Sequence, residues 1–246
     1  MQFSFEISPD HPALPGHFPG MPVVPAVVLI EQLARSLEEE TGQRVCSVRQ
    51  LRLLGLIEPG QRIDVEVREK GADSWRLTCQ VAGKPVAKGT FSCASAQGAE
   101  AIAASASPSD CQKAASAYQQ LPHSGSMQLI DDFAMFENGA ETEVTLAEQH
   151  PLADSEGVPT WAMLEYAAQL MACRKVCVGG EAMRKAIIVL VRSLQCPGPQ
   201  KLSPGSDIVV RVEEEVAQPG AVQCLFSATS GGQLVASGEF TVLSEA

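Results

Sequence analysis

The chain has 246 residues, is 45% apolar, and carries 18 basic against 29 acidic side chains for a net charge of −11. That length allows one large domain or two of about 120 residues, and that apolar content gives each a core and excludes wholesale disorder. A pI near 4.8 excludes the basic face of a nucleic-acid binder and attraction to anionic lipid. No apolar run approaches the roughly 18 residues of a membrane span.

In chain order, the stretch from Met1 to Pro9 carries Glu6 and no basic cluster. No signal peptide is expected there, and the cytoplasm is the simplest location. Leu14 to Pro25, reading LPGHFPGMPVVP, is too dense in Pro and Gly for helix or strand. It reads as a rigid loop that holds His17 just ahead of a helix N-terminus, an end suited to polarising a carbonyl or holding an anion. Pro25 opens that helix, which runs through Val27 to Leu37 with Glu31 inside it. Its first turns are apolar nearly all round, so it is expected to be buried. Glu58-Pro59-Gly60 then turns into an alternating strand, and Gly83 to Phe91 reads as a hairpin followed by a last strand.

Ala94 to Ala117 is rich in Ala and Ser and has no period that would bury a face, so it reads as a linker. Two dozen flexible residues reach about 25–30 Å, enough to tie two domains side by side. Beyond it the first pattern repeats. Ser203-Pro204-Gly205 leads into a second alternating strand, and Gly232 to Phe240 matches Gly83 to Phe91. A second buried helix, Trp161 to Met171, is opened by Pro159, ends near Gly179-Gly180 and carries Glu165. The domains are thus expected at 1–95 and 118–246, with 96–117 between them. Each is α+β, an antiparallel sheet wrapped around one central helix, and the fused pair mimics a two-fold dimer.

Eight cysteines form no CxxC pair and match no zinc pattern, so they are expected to be small buried hydrophobes. No phosphate-cradling glycine loop occurs. The chemistry therefore falls to four histidines, His11, His17, His123 and His150, and to the two helix acids. Glu31 and Glu165 each sit among large apolar residues, where a carboxyl is costly unless paired or neutral, and such acids are functional candidates.

Gly16-His17-Phe18-Pro19-Gly20, followed by Pro22, Pro25 and Glu31, resembles the hot-dog-fold 3-hydroxyacyl-[acyl-carrier-protein] dehydratases of the FabA/FabZ type. Ala26 stands where that family usually has Gly. Leu121-Pro122-His123 and Glu165-Tyr166-Ala167-Ala168-Gln169 resemble the same family's opening turn and central helix, and the whole is similar to a fusion of the two aryl polyene dehydratase subunits. The resemblance implies a tandem double hot dog that converts (3R)-3-hydroxyacyl thioesters to trans-2-enoyl thioesters. It implies an acyl carrier protein as partner and no metal or organic cofactor. It makes His17 and Glu165 the catalytic pair across the pseudo-dimer interface, with Glu165 kept protonated by its apolar surroundings. Ala26, Val27, Phe18 and Gly20 would bind substrate, the Ala26 N–H facing the thioester oxygen.

Glu31 and His150 would form a second, degraded site, since the segment around His150 lacks the Gly-His-Phe-Pro-Gly loop, and His123 would serve structurally in its turn. A carrier protein, being acidic, would need a local basic patch; Arg174, Lys175, Arg184, Lys185 and Arg192 cluster in the second half, and a solvated surface is the favoured reading of that cluster, with a docking patch as the alternative. Open alternatives are a non-catalytic acyl-binding or scaffold subunit, and an enoyl hydratase or thioesterase of the same fold. Further pairing of chains through sheet edges, giving a homo-oligomer, is also left open.

Overall fold

The computed structural model describes residues 1–93, 111–179, 185–218 and 220–245. The first half contains β1 (Gln2–Glu6), α1 (Ala26–Thr41), β2 (Ser47–Leu53), β3 (Arg62–Gly71), β4 (Ser74–Val81) and β5 (Lys84–Ser92). The second half contains β6 (Cys111–Lys113), α2 (Ala114–Tyr118), β7 (Asp132–Phe136), β8 (Gly139–Thr145), β9 (Val158–Pro159), α3 (Met163–Gly179), β10 (Lys185–Gln195), β11 (Lys201–Leu202), β12 (Asp207–Gln218), β13 (Ala221–Ser230) and β14 (Gln233–Glu245).

Twelve strands make one sheet in the order β1-β3-β4-β5-β2-β10-β14-β13-β12-β8-β7-β6, and β9 and β11 pair separately. The order is a mirror about the β2–β10 seam, where Leu51 lies opposite Val191 and Val48 opposite Leu194. Each half wraps its sheet around one helix, and α1 and α3 meet between them. This is the double hot dog that the resemblance implied, built on the fused pair that the repeat implied. Period-two alternation builds each half: Ile63, Val65 and Val67 of β3 are buried, as are Ile208, Val210 and Val212 of β12. The helices fill the wrap. Leu29, Ile30, Leu33 and Leu37 of α1 are at most 2% exposed, each worth about 1.5–3 kcal/mol of burial. On α3 nearly every residue from Met163 to Val176 is buried, as its all-round apolar sequence requires.

The repeated glycine near the end of each half has a packing reason. A Cβ at Gly89 would lie 2.9 Å from Leu51 Cα, and one at Gly238 would lie 2.3 Å from the Ser193 carbonyl. Only glycine lets the last strand of each half approach its seam strand.

The expected linker differs from the structure at its far end. Residues 96–110 lie outside the described residues. Residues 111–117, assigned to the linker on their small polar composition, form β6 and most of α2, with Ala114, Ala117 and Tyr118 buried. Alanine can bury a face too shallow to register as a hydrophobic stripe. Five cysteines are buried as expected, whereas Cys111 and Cys177 are exposed. Among the described residues no helix is long and apolar enough to cross a membrane.

Candidate active site

The loop ahead of α1 does not stand alone. Gly16-His17-Phe18 pairs with Pro122-His123-Ser124 of the other half. The Phe18 N–H donates to the Pro122 carbonyl at 3.0 Å and the Ser124 N–H to the Gly16 carbonyl at 2.9 Å, giving a bridge between His17 and His123. A Cβ on Gly16 would sit 2.2 Å from the Ser124 carbonyl oxygen, so no other residue permits this approach. Phe18 follows at φ 58°, a strained conformation for an aromatic residue, of the kind that concentrates at functional sites. Its ring meets those of His17 and His123 edge-on, 4.6 and 5.8 Å away.

The paired loops place three ionisable groups together. Ligating atoms of His17, His123 and Glu165 lie within 4.8 Å of one another, and all three residues are buried. His17 and Glu165, predicted to meet across the interface, do meet. His17 Nδ1 lies 2.9 Å from the Val23 carbonyl. A carbonyl only accepts, so Nδ1 carries the proton and neutral His17 keeps its lone pair on Nε2. Burial pulls the imidazole below its ordinary value, outweighing the opposite pull of the Glu165 charge. His17 is therefore a neutral imidazole at neutral pH.

Glu165 lies in the first turn of α3, where the helix dipole favours a carboxylate. Its Oε1 receives Gln169 Nε2 at 2.9 Å and lies 3.3 Å from His123 Nε2. Gln169 is fixed from behind, because its Oε1 accepts from the Tyr118 hydroxyl at 2.7 Å and the Leu129 N–H at 3.2 Å. Burial alone would raise the Glu165 carboxyl. The hydrogen bonds from His123 and Gln169 act against it and pull the group down to about 2. The expectation of a carboxyl kept neutral by apolar neighbours is therefore corrected: two N–H donors on one oxygen favour the ionised form. Glu165 and His123 thus form one hydrogen-bonded pair that faces the cavity.

A cavity of about 220 Å³ opens onto these groups, walled by apolar side chains of α1, α3, β10 and the segment after β2, and it includes Phe18 and Ala26. Ala26 is the first residue of α1, so its N–H has no acceptor within the helix. Val27 and Gly20, expected to bind substrate, are elsewhere. Val27 is one residue round the helix and faces a second cleft with Glu31. Gly20 is exposed in a left-handed turn at φ 84°. His123, expected to be structural, lines the cavity. The pairing of two loops more than a hundred residues apart, which puts it there, leaves no local pattern. Gln169 was also missed as a site residue, although its place one helical turn from Glu165 was a signal that could have found it.

Glu31 and His150 are not brought together in the second cleft. His150 Nδ1 accepts the Leu152 N–H at 3.1 Å, which leaves Nε2 to donate to the Tyr166 hydroxyl at 2.9 Å. Both ring nitrogens are spent, and burial holds the imidazole down at about 4. Glu31 is bound by Lys201, which also reaches Asp154 at 2.8 Å. Replacing Lys201 by Met strands two carboxylates. The expected result is a loss of about 1–3 kcal/mol in urea unfolding with the dehydration rate unchanged.

The architecture and the base–acid arrangement define a hot-dog dehydratase. Residues 115–246 match the model of ApeP-like dehydratases and residues 1–90 that of ApeI-like dehydratases, and the chain belongs to the ApeP-like dehydratase family. It removes water from hydroxyacyl thioesters. Among solved structures it is similar to a monomeric dehydratase domain from a trans-AT polyketide synthase split module, with TM-score 0.78, 15% identity, and 100% of this chain and 99% of that one covered. It is also similar to the dehydratase domain of RzxB from Pseudomonas fluorescens, with TM-score 0.76, 12% identity, and 98% and 93% covered. A trans-AT dehydratase domain from Brevibacillus brevis gives TM-score 0.77 and 12% identity over 100% and 94%. No curated protein matches the chain.

Proposed function

We propose that the chain dehydrates (3R)-3-hydroxyacyl groups borne on an acyl carrier protein, with His17 as base and the His123–Glu165 pair as acid. The observation that carries this reading is the 2.9 Å contact of His17 Nδ1 with the Val23 carbonyl, from which it follows that Nε2 is the free basic nitrogen. Nε2 of His17 takes a proton from C2 of the substrate, and the electrons move onto the thioester oxygen. The Ala26 N–H, at the positive end of α1, hydrogen-bonds that oxygen as its charge grows. The 3-hydroxyl leaves with the proton shared by Glu165 and His123, forming water and the trans-2-enoyl thioester. The cycle closes when the proton on His17 passes to the Glu165 carboxylate. The apolar cavity walls hold the acyl chain and keep water from the reacting carbon.

The direct test is mass spectrometry of a 3-hydroxyoctanoyl carrier protein incubated with the enzyme, where a loss of about 18 Da, one water, is expected from the acid–base elimination. An unchanged mass overturns the reading. The pH profile provides a second check. The base must be neutral, and burial lowers its protonation midpoint. The acid limb of kcat/KM is therefore expected below the ordinary histidine value of 6.5, with activity lost as pH falls through it.

A further inference from the structure

Of the second-half cations that were candidates to receive an acidic partner, the three whose side chains are described are neutralised, and that of Lys185 lies outside the description. Arg174 and Lys175 both pair with Glu214, and Arg192 pairs with Glu239. Arg184 lies outside the described residues. The unpaired positive charge is on the outer face of the first-half sheet instead. Arg76 of β4 lies opposite Thr90 of β5, and Thr90 opposite Arg49 of β2. In the adjacent row Thr78 lies opposite Lys88, and Lys88 opposite Arg52. Arg49, Arg52 and Arg76 are exposed and Lys88 is half-buried. Among the described residues none of the four has an acidic partner, whereas Arg68 at the end of the first row is bound by Glu66 at 2.8 Å.

A specific backbone feature assembles this strip. Arg49 and Arg52 are three residues apart, which in a regular strand would put them on opposite faces. The ladder slips between them at a bulge, with Gln50 at φ 50°, and both arginines stay on the outer face. The strip also breaks the pseudo-symmetry. Aligned on the shared Pro-Gly turn, Arg68 and Lys70 correspond to Glu213 and Glu215. Aligned on Gly89 and Gly238, Lys88 and Thr90 correspond to Ser237 and Glu239. The counterpart of Lys88 is thus neutral, and the acids Glu213 and Glu239 of the twin face are already paired with Arg211 and Arg192. The strip leads directly to the cavity rim. Leu53, next to Arg52, lines the cavity, and Leu54, Leu56 and Met21 on its rim are 48, 43 and 50% exposed.

We infer that Arg49, Arg52, Arg76 and Lys88, with the apolar rim at Leu54 and Leu56, form the docking surface for the acidic carrier protein that presents the substrate thioester. The inference rests on the carrier-bound substrate proposed above, and it deepens that reading by locating the partner. Charge complementarity selects an acidic partner, and continuity with the cavity selects one that delivers an acyl chain. Such complementarity acts mainly through encounter rate and is screened by salt.

The test compares the wild type with Arg52→Glu/Lys88→Glu and with the milder Arg52→Gln/Lys88→Gln. Each is assayed on a 3-hydroxyoctanoyl carrier protein and on the N-acetylcysteamine thioester of the same acid. For the reversal variant, kcat/KM on the carrier substrate is expected to fall tenfold or more, for the Gln variant by less, and the difference is expected to shrink at high salt. On the small thioester both variants should match the wild type within twofold. Equal loss on both substrates, or no loss on the carrier, overturns the docking surface. If the wild type converts neither substrate, the proposed reaction fails. Titration of the carrier protein against the three proteins then still decides the surface, with weaker binding by the variants supporting it and equal binding overturning it.

Discussion

Replacing His17 by Gln is expected to lower kcat about 10²–10⁴-fold, the range a positioned general base supplies. Glutamine offers an amide N–H for the Val23 carbonyl but no basic atom, so the loop is retained and proton abstraction is lost. Binding of a non-hydrolysable acyl probe should change little, since the apolar walls of the cavity are untouched. A variant that keeps wild-type turnover would remove His17 from the chemistry. The matching change at Glu31, which is tied to Lys201 in the other cleft, is expected to leave turnover unaltered.

The second large effect is expected at the acid. Glu165→Gln keeps the shape but cannot carry the proton, so kcat should fall about 10²–10⁴-fold. It also turns an acceptor of two donors into an amide. The Gln169 Nε2 faces it at 2.9 Å and is held there by Tyr118 and Leu129. Strain on that buried network should cost about 1–3 kcal/mol of stability, read by thermal or urea unfolding. His123→Gln distinguishes a shared proton from a merely structural ring. A shared proton predicts a lower kcat together with a displaced alkaline limb of the pH profile. A structural role would alter stability alone, with the limb unmoved.

The parts of this site that were legible in the sequence are those that local physics dictates. Dense Pro and Gly forced a rigid loop at His17, and the all-round apolar α3 forced burial of Glu165, whereas α1 keeps a polar face beyond its first turns and leaves Glu31 half-buried. The repeat about the Pro-Gly turns and Gly89/Gly238 gave the double fold, because each of those glycines admits a close strand approach. What escaped depends on long-range pairing. His123 reaches Glu165 only because Gly16-His17-Phe18 lies against Pro122-His123-Ser124. The protonation of Glu165 escaped for the same reason: apolar neighbours in sequence concealed the donors supplied by His123 and Gln169 in space. The orientation of Val27 was a question of one residue's rotation around α1.

The ion-paired cleft around Glu31 has a further meaning. Twin subunits of identical sequence must preserve each reactive group in both copies, since any substitution appears twice. Here Lys201 is bound to Glu31, and under the proposed assignment of the chemistry to His17 and Glu165 that flank is relieved of kinetic duty and answers only to solubility and fit. Catalytic constraint thereby falls on one side of the molecule, and the other side is free to diverge.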